Sequence, residues 1–321
     1  MPVVSTPKPP SWNRREVLQT GAVVAGLRTL RAPVAAAQVK WSSGSEAPRL
    51  KAPAQATDCH HHIYDPRCPV DPISTLRPGE ALVEDYRALQ RRIGTTRNVI
   101  VQPSTYGTDN RCALDALATF GQAARAVVVV NETVSDAELK RMDRLGVRGI
   151  RFNLLQAGAT TAAMIEPLSK RIHDLGWHIQ INAPADRLTD AMPILERVPT
   201  LVVLDHLAHV PQPDGVKHPL FARVLALLDK GRTWIKLSGA YTDTRSGPPT
   251  YADSSAVARA YVKAAPERLV WGSDWPHPTE QQKQLPDDAV LFDLLLDWAP
   301  DEALRHRILV ENPAALYGFT P

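Results

Sequence analysis

Asp58-Cys59-His60-His61-His62 ends one short apolar run, and Trp271-Gly272-Ser273-Asp274-Trp275 ends another far downstream. On an extended strand successive side chains alternate faces, so His60 and His62 point one way and His61 the other. Two imidazoles on one face can share a divalent metal ion, and a carboxylate beside them can be a further ligand or a general base. A His-x-His pair alone carries little information, because strand histidines are commonly hydrogen-bonded core residues. Asp274 changes that balance, since convergent titratable groups mark functional sites more often than packing.

These residues need a scaffold that brings distant strand ends together. Eight short apolar runs recur after residue 50: Thr57–Ile63, Asn98–Gln102, Ala126–Val130, Gly149–Leu154, His178–Asn182, Leu201–His206, Trp234–Ser238 and Leu269–Ser273. Between them lie stretches with apolar spacing near 3.6, among them Ser135–Leu145, Ala162–Leu175, Pro219–Leu228, Ala252–Ala264 and Asp287–Trp298. Strand–helix alternation on this scale predicts an α/β fold, a single (β/α)8 TIM barrel. A doubly wound open sheet is the competing architecture, but its Gly-rich dinucleotide loop is missing after the first run, so no organic cofactor is expected. In a barrel, chemistry belongs at the carboxyl ends of the strands. There the runs carry His60 and His62, Gln102 and Ser104, Arg151 and Asn153, Gln180 and Asn182, Asp205-His206, Ser238 then Tyr241, and Asp274.

Asp-x-His-x-His on the first run, a histidine ending the sixth and Gly-Ser-Asp-Trp-Pro ending the eighth resemble the amidohydrolase superfamily. Within it, the chain resembles the branch of 2-pyrone-4,6-dicarboxylate and 4-sulfomuconolactone hydrolases and sugar lactonases. Val147-Arg148-Gly149-Ile150-Arg151-Phe152-Asn153, Val203-Leu204-Asp205-His206 and Glu311-Asn312-Pro313-Ala314-Ala315-Leu316-Tyr317-Gly318-Phe319 extend the likeness over nearly everything after residue 50. The resemblance implies a hydrolase opening a small anionic lactone, with Asp274, His206, His60 and His62 catalytic. The same four would hold a divalent metal, zinc or manganese, if one is bound. Two departures stand out: no lysine ends the fourth run, and Asn182 ends the fifth where many relatives have histidine. A fuller ligand set would favour a metal-dependent non-oxidative decarboxylase, the alternative enzyme; a non-catalytic periplasmic binder of small acids is the other alternative.

For lactone hydrolysis Asp274 is the expected base, and the histidines polarise the carbonyl directly or through a metal. Arg151 is expected to grip a substrate anion, because a guanidinium binds carboxylate or sulfonate in bidentate fashion. Ser104, Asn182, Tyr241, Arg245 and His277 are expected to complete the substrate site. The dicarboxylate lactonase pattern has a second arginine six residues after the first, where this chain has Ala157. His61 is expected to face the outer helices, and His178 to be structural.

The front of the chain reads differently. Arg14-Arg15 precede a mildly apolar stretch from Val17 to Leu27 and then Ala35-Ala36-Ala37, the layout of a twin-arginine-type signal peptide over residues 1–37. Residues 38–50 read as a linker, and the barrel domain as residues 51–321. Export to the periplasm follows from the leader; a fortuitous arginine pair would leave the chain cytoplasmic. The leader holds five basic residues and Glu16; taking five from 37 and one from 34 leaves 32 basic and 33 acidic residues. The positive excess therefore belongs to the leader, which argues against a nucleic-acid partner, and no apolar run reaches the roughly 20 residues of a membrane span. Cys59, Cys68 and Cys112 are too few and too irregular for a zinc cluster. Cys59 reads as a small buried hydrophobe, whereas Cys68 and Cys112 could pair if the protein is exported, a matter that geometry decides and sequence does not.

Overall fold

A computed structural model describes residues 1–5, 38–155 and 158–320. Met1–Ala35 separates as one unit and Ala36–Pro321 as the other. The twin-arginine pair, the apolar stretch and Ala157 lie outside the described residues.

Eight strands form the frame: β1 (Thr57–His61), β2 (Arg97–Val101), β3 (Ala124–Val128), β4 (Val147–Asn153), β5 (His178–Asn182), β6 (Val202–Leu204), β7 (Thr233–Leu237) and β8 (Leu269–Trp271). They pair in parallel in sequence order. Each is followed by a helix: α1 (Val83–Ile93), α2 (Arg111–Phe120), α3 (Asp136–Leu145), α4 (Ile165–Ile172), α5 (Ala185–Leu195), α6 (Pro219–Asp229), α7 (Ala252–Ala264) and α8 (Asp288–Trp298). The sheet meets itself between β1 and β8, where the Asp274 amide donates to the His60 carbonyl at 2.8 Å and the His62 amide to the Trp275 carbonyl at 2.8 Å. This is the expected (β/α)8 barrel.

Strand alternation divides the core in two. Ile100, Ile150, Ile179, Leu204 and Ile235 face the helices, while Cys59, Val99, Val101, Val127, Val203, Trp234 and Val270 form a separate cluster. Leu316, Tyr317 and Phe319 join that second cluster and plug the amino end of the barrel. Arg125 fastens the plug: its guanidinium lies 4.6 Å from the Phe319 ring centre and donates to the carbonyls of Tyr317 and Gly318. A closed, apolar amino end leaves the carboxyl end as the place for polar side chains.

Residues 38–50, expected as a linker, are packed onto the barrel. Val39, Ser42 and Leu50 are buried, the Trp41 indole donates to the Glu80 carbonyl at 2.7 Å, and the Trp275 indole donates to the Lys40 carbonyl at 2.8 Å. Composition misleads here, because one tryptophan and two aliphatic side chains suffice to anchor a serine-rich irregular segment to an apolar surface.

Candidate active site

The first strand does not alternate simply. Its register against β2 shifts between Asp58 and His61. Cys59 and His60 can thus both serve the barrel interior, whereas His61 turns outward as expected and stacks on Tyr86 with ring centres 3.6 Å apart. Asp58 clamps the seam: Oδ1 accepts the amides of His60 and Ser273, and Oδ2 accepts the hydroxyls of Tyr86 and Ser273. Gly272 lets β1 approach, since a Cβ there would stand 2.6 Å from His60 Cβ and 2.9 Å from its amide nitrogen.

After β6 the chain makes a left-handed turn. His206, Leu207, Ala208 and His209 all have positive φ, between 47° and 58°, and Asp274 has φ 61°. Such conformations cost about 1 kcal/mol or more for each non-glycine residue, and their concentration at the mouth is a mark of functional constraint. Gly239 makes room for the turn, because a Cβ there would lie 2.8 Å from His206 Nδ1.

These local features bring His60, His62, His206 and Asp274 together. Asp274 Oδ1 lies 3.4 Å from Nε2 of His60, 3.4 Å from Nε2 of His62 and 3.8 Å from Nε2 of His206. The two Nε2 atoms of His60 and His62 are 3.3 Å apart. Ligands at zinc-like distances of about 2.0–2.1 Å from a tetrahedral centre stand about 3.3 Å from one another, so these four residues fit a divalent ion. His62 donates from Nδ1 to the Val101 carbonyl at 2.7 Å, and His206 Nδ1 lies 3.0 Å from the Ser238 hydroxyl, which turns both Nε2 atoms inward.

A polar layer lies beneath. His60 Nδ1 is 3.3 Å from Asp205 Oδ1 and 3.3 Å from Lys236 Nζ, and Lys236 donates to Gln180 Oε1 at 2.8 Å. Asp205 Oδ2 accepts from Arg151 Nε at 3.1 Å and from Gln180 Nε2 at 3.0 Å. All five are buried. Burial, and then the Lys236 charge, lower the His60 pKa well below the usual range. Burial also lowers His206, to about 4, against the opposing pull of Asp274 and Asp205. For Asp274, burial acts upward but the imidazoles of His206, His62 and His60 outweigh it, keeping the carboxyl well below its ordinary value. The same holds for Asp205, where His60, Lys236 and Arg151 overcome burial.

Above these groups opens a cavity of about 80 Å³ lined by His62, Tyr64, Ser104, Arg151, Asn182, His206 and Asp274 among others. Arg151 spends only Nε on Asp205; among the described residues no hydrogen bond engages its two terminal nitrogens. Ser104 accepts from Asn153 Nδ2 at 2.6 Å, and Asn182 Oδ1 lies 2.8 Å from His209 Nε2, whose ring is backed by Asp243 at 2.9 Å.

Three residues expected in the substrate site stand elsewhere. Tyr241 does not line the cavity; its hydroxyl donates to Asp274 Oδ2 at 2.6 Å. His277 lies fully buried behind it, with Nδ1 2.9 Å from the Tyr241 oxygen and Nε2 3.1 Å from Asp288 Oδ2. Since the Tyr241 hydrogen goes to Asp274, His277 must donate from Nδ1, and the Asp288 carboxylate takes its other hydrogen. Burial lowers the His277 pKa, but Asp288 raises it further, so the net shift is upward. Arg245 is exposed over a neighbouring groove, and its amide binds Asp253. That Pro/Gly-rich loop is tied to the first turn of α7, where Asp253 accepts the amides of Arg245 and Ser246. Cys68 and Cys112 are free thiols beside one surface cavity.

Sequence reasoning passed over Lys236 and Asp288, and saw Asp205 only as the neighbour of His206. A lysine inside Trp-Ile-Lys-Leu was the available signal, because lysine is almost never fully buried without a partner.

A (β/α)8 barrel carrying a strand-one histidine pair, a strand-six histidine and a strand-eight aspartate on one point defines a class of hydrolytic enzymes. The chain matches the amidohydrolase family over residues 57–319 and belongs to it. It is 36% identical to D-galactarolactone isomerase of Agrobacterium fabrum over 286 residues, covering 88% of this chain and 97% of that protein. It is also 36% identical to 4-sulfomuconolactone hydrolase of Rhizobium radiobacter over 275 residues, covering 83% and 91%. An Agrobacterium tumefaciens protein solved in its apo form superposes with a TM-score of 0.80 at 34% identity, covering 88% of this chain and 99% of that one. The chain is therefore an enzyme of this family.

Proposed function

We propose that this enzyme hydrolyses a small anionic lactone, with Asp274 as general base. The observation that carries the proposal is the convergence of Asp274 with three imidazoles at the floor of a cavity whose wall offers the terminal nitrogens of Arg151, which pair with no other described residue. Asp274 takes a proton from water as the water oxygen bonds to the lactone carbonyl carbon. The carbonyl oxygen becomes an oxyanion facing the imidazoles. When the ring C–O bond breaks, the leaving oxygen recovers the proton from Asp274. Tyr241, fixed by His277 and Asp288, keeps Oδ2 occupied, so Oδ1 is the oxygen that works as base. Arg151 supplies a bidentate partner for a substrate carboxylate or sulfonate. A divalent ion held by His60, His62, His206 and Asp274 would add Lewis-acid polarisation of the carbonyl.

The isomerase relative favours a second reading, in which a hydroxyl of the substrate replaces water as nucleophile and the lactone migrates. Both routes use the same base, and each passes through its own tetrahedral intermediate, with the water oxygen added in one and the substrate hydroxyl oxygen in the other. A panel of carboxylated and sulfonated lactones, followed by mass spectrometry of the products, separates them: hydrolysis adds one water to the mass, and migration adds nothing. Asp274→Asn, which keeps shape and removes the base, should lower kcat by about 10²–10⁴-fold. Retained turnover in this variant would reject the assigned base, and turnover of no lactone would reject the reaction.

We also propose that residues 1–37 are a twin-arginine-type leader and that the mature enzyme is periplasmic. Among the described residues no helix is long and apolar enough to cross a membrane. Amino-terminal sequencing of protein recovered from the periplasm tests this; an uncleaved chain confined to the cytoplasm would overturn it.

A further inference from the structure

The histidine tips and the layer under them are together already charge-balanced. They hold two cations, Lys236 and Arg151, and two carboxylates, Asp205 below and Asp274 at the tips, all buried. Lys236 Nζ sits 2.8 Å from Gln180 Oε1, 3.3 Å from His60 Nδ1 and 3.6 Å from Asp205 Oδ1. An ammonium only donates, so the imidazole nitrogen facing it must be the one with the lone pair. The hydrogen of His60 is then on Nε2.

The neighbours agree with that orientation. His62 donates from Nδ1 to the Val101 carbonyl at 2.7 Å, so its Nε2 is an acceptor, and it stands 3.3 Å from His60 Nε2. Donation thus runs in one direction from Lys236 through His60 and His62 to Val101. The alternative acceptor for His60 Nδ1 is Asp205 Oδ1, also at 3.3 Å, but among the described residues this oxygen takes part in no hydrogen bond. A metal needs the lone pair of Nε2, the atom that carries the hydrogen in this arrangement.

We propose that Lys236 is a positioning residue that holds His60 with its hydrogen on Nε2 and places a fixed positive charge under the site, so that it weakens retention of a divalent ion. The inference rests on the metal-shaped arrangement of His60, His62, His206 and Asp274 and is independent of which lactone is the substrate. The buried lysine on β7 makes the four-residue site tunable: it can hold an ion, yet its resting hydrogen-bond order opposes one.

The test uses the full chain stripped of metal, with zinc alone as the probe and competition against a chromophoric chelator at neutral pH as the readout. Lys236→Met is expected to bind zinc about 10–100-fold more tightly than the parent, the size of other outer-shell effects on metal affinity. Equal or weaker affinity in a folded variant would overturn the proposal. Lys236→Gln serves where the methionine variant does not fold. Independently of any variant, nitrogen-15 NMR of the metal-free parent is expected to show His60 protonated at Nε2, and protonation at Nδ1 would overturn the proposal. Neither readout involves turnover, so failure here leaves the lactonase reading intact, and the reverse also holds.

Discussion

Acidification from about pH 8 to about pH 5.5 should weaken the folded barrel by about 3 kcal/mol, and the cause is its buried neutral histidines. His61, His178 and His206 are lowered by burial from the ordinary 6.5 to about 3, about 3 and about 4. At about pH 5.5 an imidazole in the unfolded chain is roughly 90% protonated while these three stay neutral, so each favours unfolding by about 1.4 kcal/mol. Together they contribute about 4 kcal/mol. Asp58 acts in the opposite direction, since burial raises its carboxyl to about 6. Protonating it in the folded state restores about 0.8 kcal/mol over the same interval. His277, raised on balance by Asp288, adds a further offset, whereas His60, lowered by burial and Lys236, adds to the loss. Asp205 and Asp274 are both depressed, so the stability they contribute is present above the ordinary carboxylate range and disappears only below about pH 4, outside the interval. Urea unfolding followed by tryptophan fluorescence and circular dichroism measures the effect, and the midpoint should fall by about 1 M. His61→Phe keeps the ring stacked on Tyr86 and should remove about a third of the histidine contribution. A midpoint that stays level or rises on acidification would refute the reasoning, and an unchanged pH dependence in His61→Phe would refute its assignment to that residue.

Arg151→Met should raise KM for an anionic lactone by about 10–100-fold with a smaller change in kcat, as expected for loss of a charge-assisted hydrogen bond worth about 1.5–3 kcal/mol. Unchanged KM would make Arg151 a partner of Asp205 alone. Tyr241→Phe removes the donor to Asp274 Oδ2, which raises the carboxyl pKa and should move the acid limb of the kcat/KM profile to higher pH. A stationary limb would reduce Tyr241 to packing. Gly272→Ala forces a Cβ against the His60 backbone and should cost about 1–3 kcal/mol of stability by overpacking, read as a lower melting midpoint. An undisturbed midpoint would mean that the β1–β8 seam gives way easily.

Strand identity was legible because burial on both faces leaves continuous aliphatic runs, and the polar residues that end those runs, His60, His62, His206 and Asp274, needed only the rule that barrels work at their carboxyl ends. What stayed hidden depends on rotation and depth. His277 and Tyr241 lie close to Asp274 in sequence or topology, yet the left-handed backbone at Asp274 and His277 turns His277 behind the carboxylate, and Tyr241 is held there by its bonds to Asp274 and His277 instead of facing the cavity. Arg245 was placed by loop proximity alone, and Asp253 claims that loop. Lys236 is the most instructive omission: its neighbours Ile235 and Leu237 belong to the outer core, so strand alternation turns the lysine inward. A fully buried lysine demands acceptors, and two were already in view at strand ends, Gln180 and Asp205. Pairing each inward polar residue with the acceptors at its own level, instead of reading only the topmost groups, would have recovered the layer on which the behaviour of His60 depends.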